Sequence, residues 1–222
     1  MKRLFNFKWS LVVIVLQLVV LGYFAYSLPA DAKVPSHWNF NNEIDGYTGK
    51  TASLLIWSGL SIGMFLLFFL MPWYSPWYKK YEKRFERLLP PLTLVMVLFF
   101  ALISVYSLYL AQTQVEPEIQ FILILIGLMF IFLGNLMPKT PRNFFIGIKT
   151  PWTLANEEVW QRTHRLGGWL FAISGVIMIV KGFVLLHNNL FQQISGVIAM
   201  LILLFPLAYS FFIFKKLGAE RN

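Results

Sequence analysis

Six nearly uncharged apolar runs, each close to the length of a membrane crossing, leave this chain almost no choice of solvent. They lie near 9–28, 53–73, 90–111, 119–137, 168–186 and 190–214. A hydrocarbon core about 30 Å thick is crossed by roughly 20 helical residues. The chain of 222 residues is 58% apolar and only 13% charged, too little polar surface to wrap a soluble domain. Backbone groups in lipid must be satisfied within the span, so the runs are helices. None has the polar and apolar alternation of a barrel strand. The fold class is therefore an all-α integral membrane protein of six transmembrane helices arranged as three hairpins.

The cations give the orientation. Lys2, Arg3, Lys8, Lys79, Lys80, Lys83, Arg84, Arg87, Lys139, Arg142, Lys149, Arg162, Arg165, Lys215, Lys216 and Arg221 fall on one side, against Lys33 and Lys50 on the other. The positive-inside rule puts both termini in the cytoplasm and the loops 29–50, 112–118 and 187–189 outside. Trp9, Trp73, Trp77, Trp152, Trp160 and Trp169 then gather at the cytoplasmic headgroup level as an aromatic belt. The +9 net charge is thus a topology signal. Dealt out among four segments, it does not make a nucleic-acid surface. The first run exceeds a usual signal-peptide core and is read as a retained span. Without cysteine, the outer loop must be held by packing.

The sequence divides into an N-terminal hairpin, 1–89, and a four-helix region, 90–222. The first contains the outer loop 29–50 and a basic cytoplasmic connector, 74–89. In that connector Tyr78, Tyr81 and Phe85 recur at helical spacing among Lys79, Lys83, Arg84 and Arg87, as in a helix lying on headgroups. Pro90 and Pro91 are expected to restart the third span. Gly59 with Gly63, and Gly168 with Ala172, are read as close-packing steps. Gln17 is expected to bond to another helix, and Lys181 to lift its ammonium toward the headgroups.

The segment between the fourth and fifth spans carries more chemistry than a connector needs. Pro138, Pro141 and Pro151 disfavour helix before them, which makes 137–152 a stiff, extended or turning stretch with Phe144, Phe145 and Trp152 at the interface. Either Thr153 or Asn156 then caps a short helix to Arg165. With Asn156 as the cap, Glu157 and Glu158 occupy the first turn, and Glu158 pairs with Arg162. Val159, Trp160, Thr163 and Leu166 form one face, and Gly167 and Gly168 turn the chain back into the membrane.

The run Gly147, Ile148, Lys149, Thr150, Pro151, Trp152, Thr153, Leu154, followed by Glu157, Val159 and Trp160, resembles the signature of the SdpI family of bacterial membrane proteins, named for immunity to a secreted sporulation-delaying toxin. Pro35, His37, Trp38, Asn39, Glu43, Asp45, Gly46, Tyr47 and Lys50 resemble the loop of an uncharacterised domain often found ahead of it. Lys149 stands where relatives often carry arginine, keeping the charge but losing the bidentate fork. The resemblance implies a bacterial cytoplasmic-membrane protein that protects its host against a secreted peptide toxin, and, through the family's type case, a cytoplasmic transcriptional regulator as a further partner. Together with the loop's own chemistry it marks Asn135, just ahead of the signature loop 138–167, and Pro138, Gly147, Lys149, Thr150, Pro151, Trp152, Thr153, Glu157, Trp160, His164 and Arg165 within it as candidate residues. In the outer loop it marks His37, Trp38, Asn39, Glu43, Asp45, Gly46 and Lys50.

An enzyme is not legible. The three histidines fall in different compartments, with no metal-ligand spacing on one helix face and no serine nucleophile elbow or phosphate loop. No metal or cofactor is expected. Asn41, Glu43 and Asp45 give only half a calcium loop, since the closing glutamate position is Ala52, and Asp45 with Gly46 reads instead as a turn. Two other classes compete with immunity. A small-molecule transporter would need a water-lined path, against which the scarcity of charge in the spans argues. A membrane sensor would recruit a cytoplasmic protein through the signature loop.

Overall fold

The computed structural model describes residues 6–39, 44–115, 119–184 and 189–219. Their elements are α1 (Lys8–Ser27), β1 (Lys33–Trp38), β2 (Ile44–Gly49), α2 (Lys50–Phe69), α3 (Met71–Tyr74), α4 (Pro76–Lys80), α5 (Glu82–Thr113), α6 (Ile119–Leu136), a 3-10 turn (Met137–Lys139), α7 (Pro151–Ala155), α8 (Glu157–Val184) and α9 (Asn189–Ala219). Six of these, α1, α2, α5, α6, α8 and α9, are long and apolar enough to cross a membrane. Their side chains are distributed as lipid demands. Val15, Val19, Leu55, Leu201 and Phe212 are exposed, while Ser10, Gln17, Ser53, Ser61, Ser104, Ser174 and Ser210 are buried. Apolar groups face the hydrocarbon, while Gln17, Ser104, Ser174 and Ser210 find hydrogen-bond partners in the protein.

The chain packs as two compact units, one of residues 1–70 and 89–125, the other of 71–88 and 126–222. In the sequence the division fell at residue 89. The structure instead puts the third span with the first two, and the basic connector with the signature loop. Within the first unit, Gln17 meets its expectation by donating to Ser104 Oγ at 3.1 Å, with the Trp57 carbonyl at 3.5 Å. Leu21, Phe24, Leu28, Val34, Leu108 and Ala111 form its core, and Phe7 sets its ring edge against Phe65 and Phe69.

The outer loop holds a structure that the sequence reading did not contain. β1 and β2 pair antiparallel, Val34 opposite Thr48 and Pro35 opposite Tyr47, with irregularities around His37. Val34 is fully buried in the core just described. Asp45 and Gly46, expected as a turn, lie inside β2. Gly46 owes its place to closeness, because a Cβ there would come 2.8 Å from that of His37. Lys50 closes the hairpin onto the helices by donating from Nζ to the Leu28 carbonyl at 2.6 Å, and from its backbone to Ala32 at 3.1 Å.

Four expectations about the helices are corrected. Pro90 and Pro91 do not restart a span but sit inside the continuous 32-residue α5. They delete the donors to the carbonyls of Glu86 and Arg87, residues exposed enough for solvent or headgroups to supply others. Gly167 and Gly168 make no turn, since α8 runs unbroken from Glu157. Gly168 instead belongs to an antiparallel contact in which Gly127 faces Gly175 and Gly134 faces Gly168, seven residues apart on both helices. A Cβ on any of these four would approach the opposing carbonyl oxygen to 2.5–2.6 Å, so only glycine permits this spacing. Gly59 and Gly63 make no such approach. Lys181, expected to reach headgroups, is 5% exposed and buried in protein.

Candidate functional site

Asn143 shapes the signature loop. Its Nδ2 donates to the carbonyls of Pro141 (2.7 Å) and Ile146 (3.1 Å), and its Oδ1 accepts from the backbone amides of Phe145 and Ile146, both at 2.7 Å. One fully buried amide thus uses all of its capacity on a six-residue turn. The turn exits through Gly147 at φ +114°. There the His164 ring sits where a Cβ would be. His164, four residues along the helix from Trp160, donates from Nδ1 to the Trp160 carbonyl at 2.8 Å and accepts at Nε2 from the Ile148 amide at 3.0 Å. A carbonyl can only accept and an amide can only donate, so these partners fix a neutral tautomer.

Two caps follow. Thr150 accepts from the Thr153 amide at 3.1 Å while Thr153 Oγ1 accepts from the Thr150 amide at 2.9 Å, a reciprocal box that starts α7. Thr150 Oγ1 also reaches Ser210 Oγ on α9 at 3.0 Å. Asn156 Oδ1 accepts from the amides of Glu158 (2.8 Å) and Val159 (3.2 Å), starting α8. The sequence left Thr153 and Asn156 as alternatives for one helix. Asn156 caps the expected one, and Thr153 serves a second, one turn earlier. Glu158 pairs with Arg162 at 2.6 Å, as the spacing predicts. Trp160, expected in the headgroup belt, is instead fully buried, stacks on His164 at 4.0 Å and donates from Nε1 to the Thr140 carbonyl at 2.9 Å.

The connector joins this loop through residues that the sequence reading missed as site members. Glu157 Oε2 accepts from Tyr81 at 2.9 Å and pairs with Arg142 Nε at 3.4 Å. Arg142 also donates to the Leu154 carbonyl at 3.1 Å and lies over the Trp77 ring at 4.8 Å. Burial first, and the bond to Glu157 second, push the Tyr81 phenol above its ordinary value, so it remains a donor. Phe144 and Phe145 set their edges against Trp77 and Tyr74. Tyr81 and Glu157 are 76 residues apart, so no local signal could have paired them.

The candidate residues therefore fall into two groups. Asn135, Pro138, Gly147, Lys149, Thr150, Pro151, Trp152, Thr153, Glu157, Trp160, His164 and Arg165 all belong to the second unit. Of these Thr150, Thr153, Trp160 and His164 are buried and brace the loop, whereas Lys149 and Arg165 are exposed. Lys149 donates to the carbonyls of Phe144 and Phe145 at 3.2 and 3.4 Å. Trp152 packs on Phe211, and Asn135 accepts from Lys139. His37, Trp38, Asn39, Asp45, Gly46 and Lys50 belong to the first unit, while Glu43 and Asn41 lie outside the described residues, as does His187. His37 Nδ1 and Asp45 Oδ1 share an exposed hydrogen bond at 2.5 Å.

Beside that hairpin lies a cleft of about 710 Å³. Its walls are Pro35, Ile44 and Tyr47 from the strands and Leu110, Ala111 and Val115 from the end of α5, with Asp31, Lys33 and Gln114 as polar groups. Gln114 ends α5 in the left-handed conformation, φ +53°, with its amide bonded to the Leu110 carbonyl at 2.9 Å.

Residues 139–210 match the SdpI/YfhL protein family, and residues 12–62 match a domain of unknown function, DUF1648. Over 96 residues the chain is 31% identical to the Immunity protein SdpI of Bacillus subtilis (strain 168), covering 43% of this chain and 45% of that protein. The matched stretch is thus less than half of the relative's length. No solved structure matches the chain.

Proposed function

We propose, from the premise that residues 139–210 are an SdpI/YfhL family region within a multi-pass membrane protein, that the chain is an immunity protein of the bacterial cytoplasmic membrane, giving resistance to a secreted membrane-active peptide. The observation that carries this reading is the identity to an immunity protein. In this reading the hairpin cleft faces outward and receives an apolar stretch of the peptide, with Asp31 and Lys33 available to its charges. The signature loop faces the cytoplasm, where exposed Lys149 and Arg165 would meet a transcriptional regulator. No step of this requires bond-making chemistry.

Expression in a strain sensitive to the sporulation-delaying toxin tests the reading. Survival should rise above the empty vector, and Val115→Trp, which crowds the cleft from its exposed wall, should remove the gain at unchanged membrane abundance. No gain for the unaltered chain, across that toxin and several related peptides, would refute immunity. A gain that survives Val115→Trp would refute the cleft as the place of contact.

A further inference from the structure

We propose that Lys80, Arg84 and Arg142, gathered on the Trp77 and Tyr81 rings, form a binding site for the headgroup phosphate of an anionic phospholipid. The two rings are parallel, 3° apart in plane, with centroids at 6.3 Å. Lys80 Nζ lies 5.4 Å from one ring and 5.3 Å from the other. The Arg84 guanidinium is 5.8 Å from Tyr81, and that of Arg142 is 4.8 Å from Trp77. Three cations are thus held within one aromatic cluster, where the negative ring faces offset part of their repulsion.

The carboxylates do not balance them. Glu157 faces the cluster, and its Oε2 is already shared between Tyr81 and Arg142. Of the neighbouring cations, Arg142 pairs with Glu157 and Arg162 with Glu158. Lys80 and Arg84 belong to neither pair, nor do the neighbouring Glu82 and Glu86. Lys79, Lys83 and Arg87 add charge on the same exposed side, while Met71, Ser75, Tyr78, Phe85, Leu88 and Leu89 bury the other. Lys80 and Arg84 therefore hold their charges with no carboxylate partner among the described residues.

Its setting selects the source. α4 begins only a few residues after the span that ends at Phe69, so the cations stand at headgroup depth whichever side of the membrane they occupy. Phe144, 52% exposed, sets its edge against Trp77 at 6.0 Å and supplies apolar surface beside the cations. A phosphate carrying an acyl tail satisfies both surfaces, whereas a free phosphate satisfies only the charge.

Purified full-length protein, freed of bound lipid, can be titrated with phosphatidylglycerol or phosphatidylcholine in detergent and the bound lipid counted by native mass spectrometry. Phosphatidylglycerol should be preferred, and the K80Q/R84Q variant should lose about twenty-five-fold in its affinity, two contacts of roughly five-fold each. K80R/R84K should retain the preference. K215Q/K216Q, which removes two cations at the end of α9, should leave it unchanged. The proposal is overturned by equal binding of the two lipids to the unaltered protein, or by an equal loss in K215Q/K216Q. Displacement of the lipid by inorganic phosphate at the same concentration would also overturn it, because the site would then recognise the free anion. The substituted side chains are exposed, and a circular dichroism spectrum matching that of the unaltered protein ensures that a loss of lipid reports the site.

Discussion

Alanine at position 147 is expected to melt the signature loop and lower the amount of folded protein in the membrane several-fold. Gly147 holds φ at +114°, where an L side chain costs about 1–3 kcal/mol. Its Cβ would also collide with the His164 ring. Moving that ring breaks the bond from Ile148 to Nε2 and costs a further ~1–3 kcal/mol through overpacking. Against a total stability of about 5–15 kcal/mol this is a large fraction. Thermal unfolding in detergent measures it. Gly218→Ala makes the matched comparison, since a Cβ there meets nothing within 4 Å, and it should keep or raise the melting temperature. If Gly147→Ala melts alongside Gly218→Ala, the conformation assigned to the loop is wrong.

The second large effect belongs to Trp160. Truncation to alanine empties a fully buried indole site, costing about 3–5 kcal/mol. It also leaves the Thr140 carbonyl without its 2.9 Å donor, worth about 1–3 kcal/mol if water cannot replace it. Trp160→Phe keeps most of the ring contact with His164 but loses the donor, so it should recover more than half of the lost stability. Equal unfolding temperatures for the two variants would show that the hydrogen bond, rather than the packing, holds the loop. Neither variant bears directly on toxin contact. Loss of protection in either should track membrane abundance, in contrast to Val115→Trp in the cleft.

The spans were legible because lipid imposes a single rule on every residue of a crossing, and runs such as 9–28 and 190–214 obey it without reference to any partner. Local features were legible for a similar reason. The Asn156 cap and the Glu158 to Arg162 pair lie within four residues and need only a helix to exist. What the sequence concealed depends on distant residues. The β hairpin is obscured by Pro35, Gly46 and Gly49, which dilute strand propensity, and is held by Val34 against α1 and α5.

The expected step of Gly168 with Ala172 is one end of the glycine contact, since a Cβ on Gly134 would meet the Gly168 carbonyl at 2.5 Å and the Ala172 amide at 2.9 Å, whereas the rest follows a period of seven on each of two helices. Gly127 with Gly134, and Gly168 with Gly175, were the available signal. His164 and Trp160 were marked as candidates by their chemistry and their place in the signature. The structure places both in the interior, where they position Ile148 and Thr140. Asn143 carried its clue in the local Pro-Arg-Asn sequence, since asparagine after a proline readily closes a turn. Tyr81 and Arg142 offered no clue, because their common partner Glu157 is visible only once the connector and loop are packed together.

The proposed division of labour rests on the hairpin and the signature loop lying on opposite sides of the membrane, and labelling on intact cells tests this most directly. The chain contains no cysteine, so single replacements at the exposed Ala30 and Ala155 report without background. A membrane-impermeant maleimide should modify Ala30→Cys on intact cells and Ala155→Cys only after the membrane is opened. Modification of Ala155→Cys on intact cells, with Ala30→Cys protected, would place the cleft inside the cell and contradict the account.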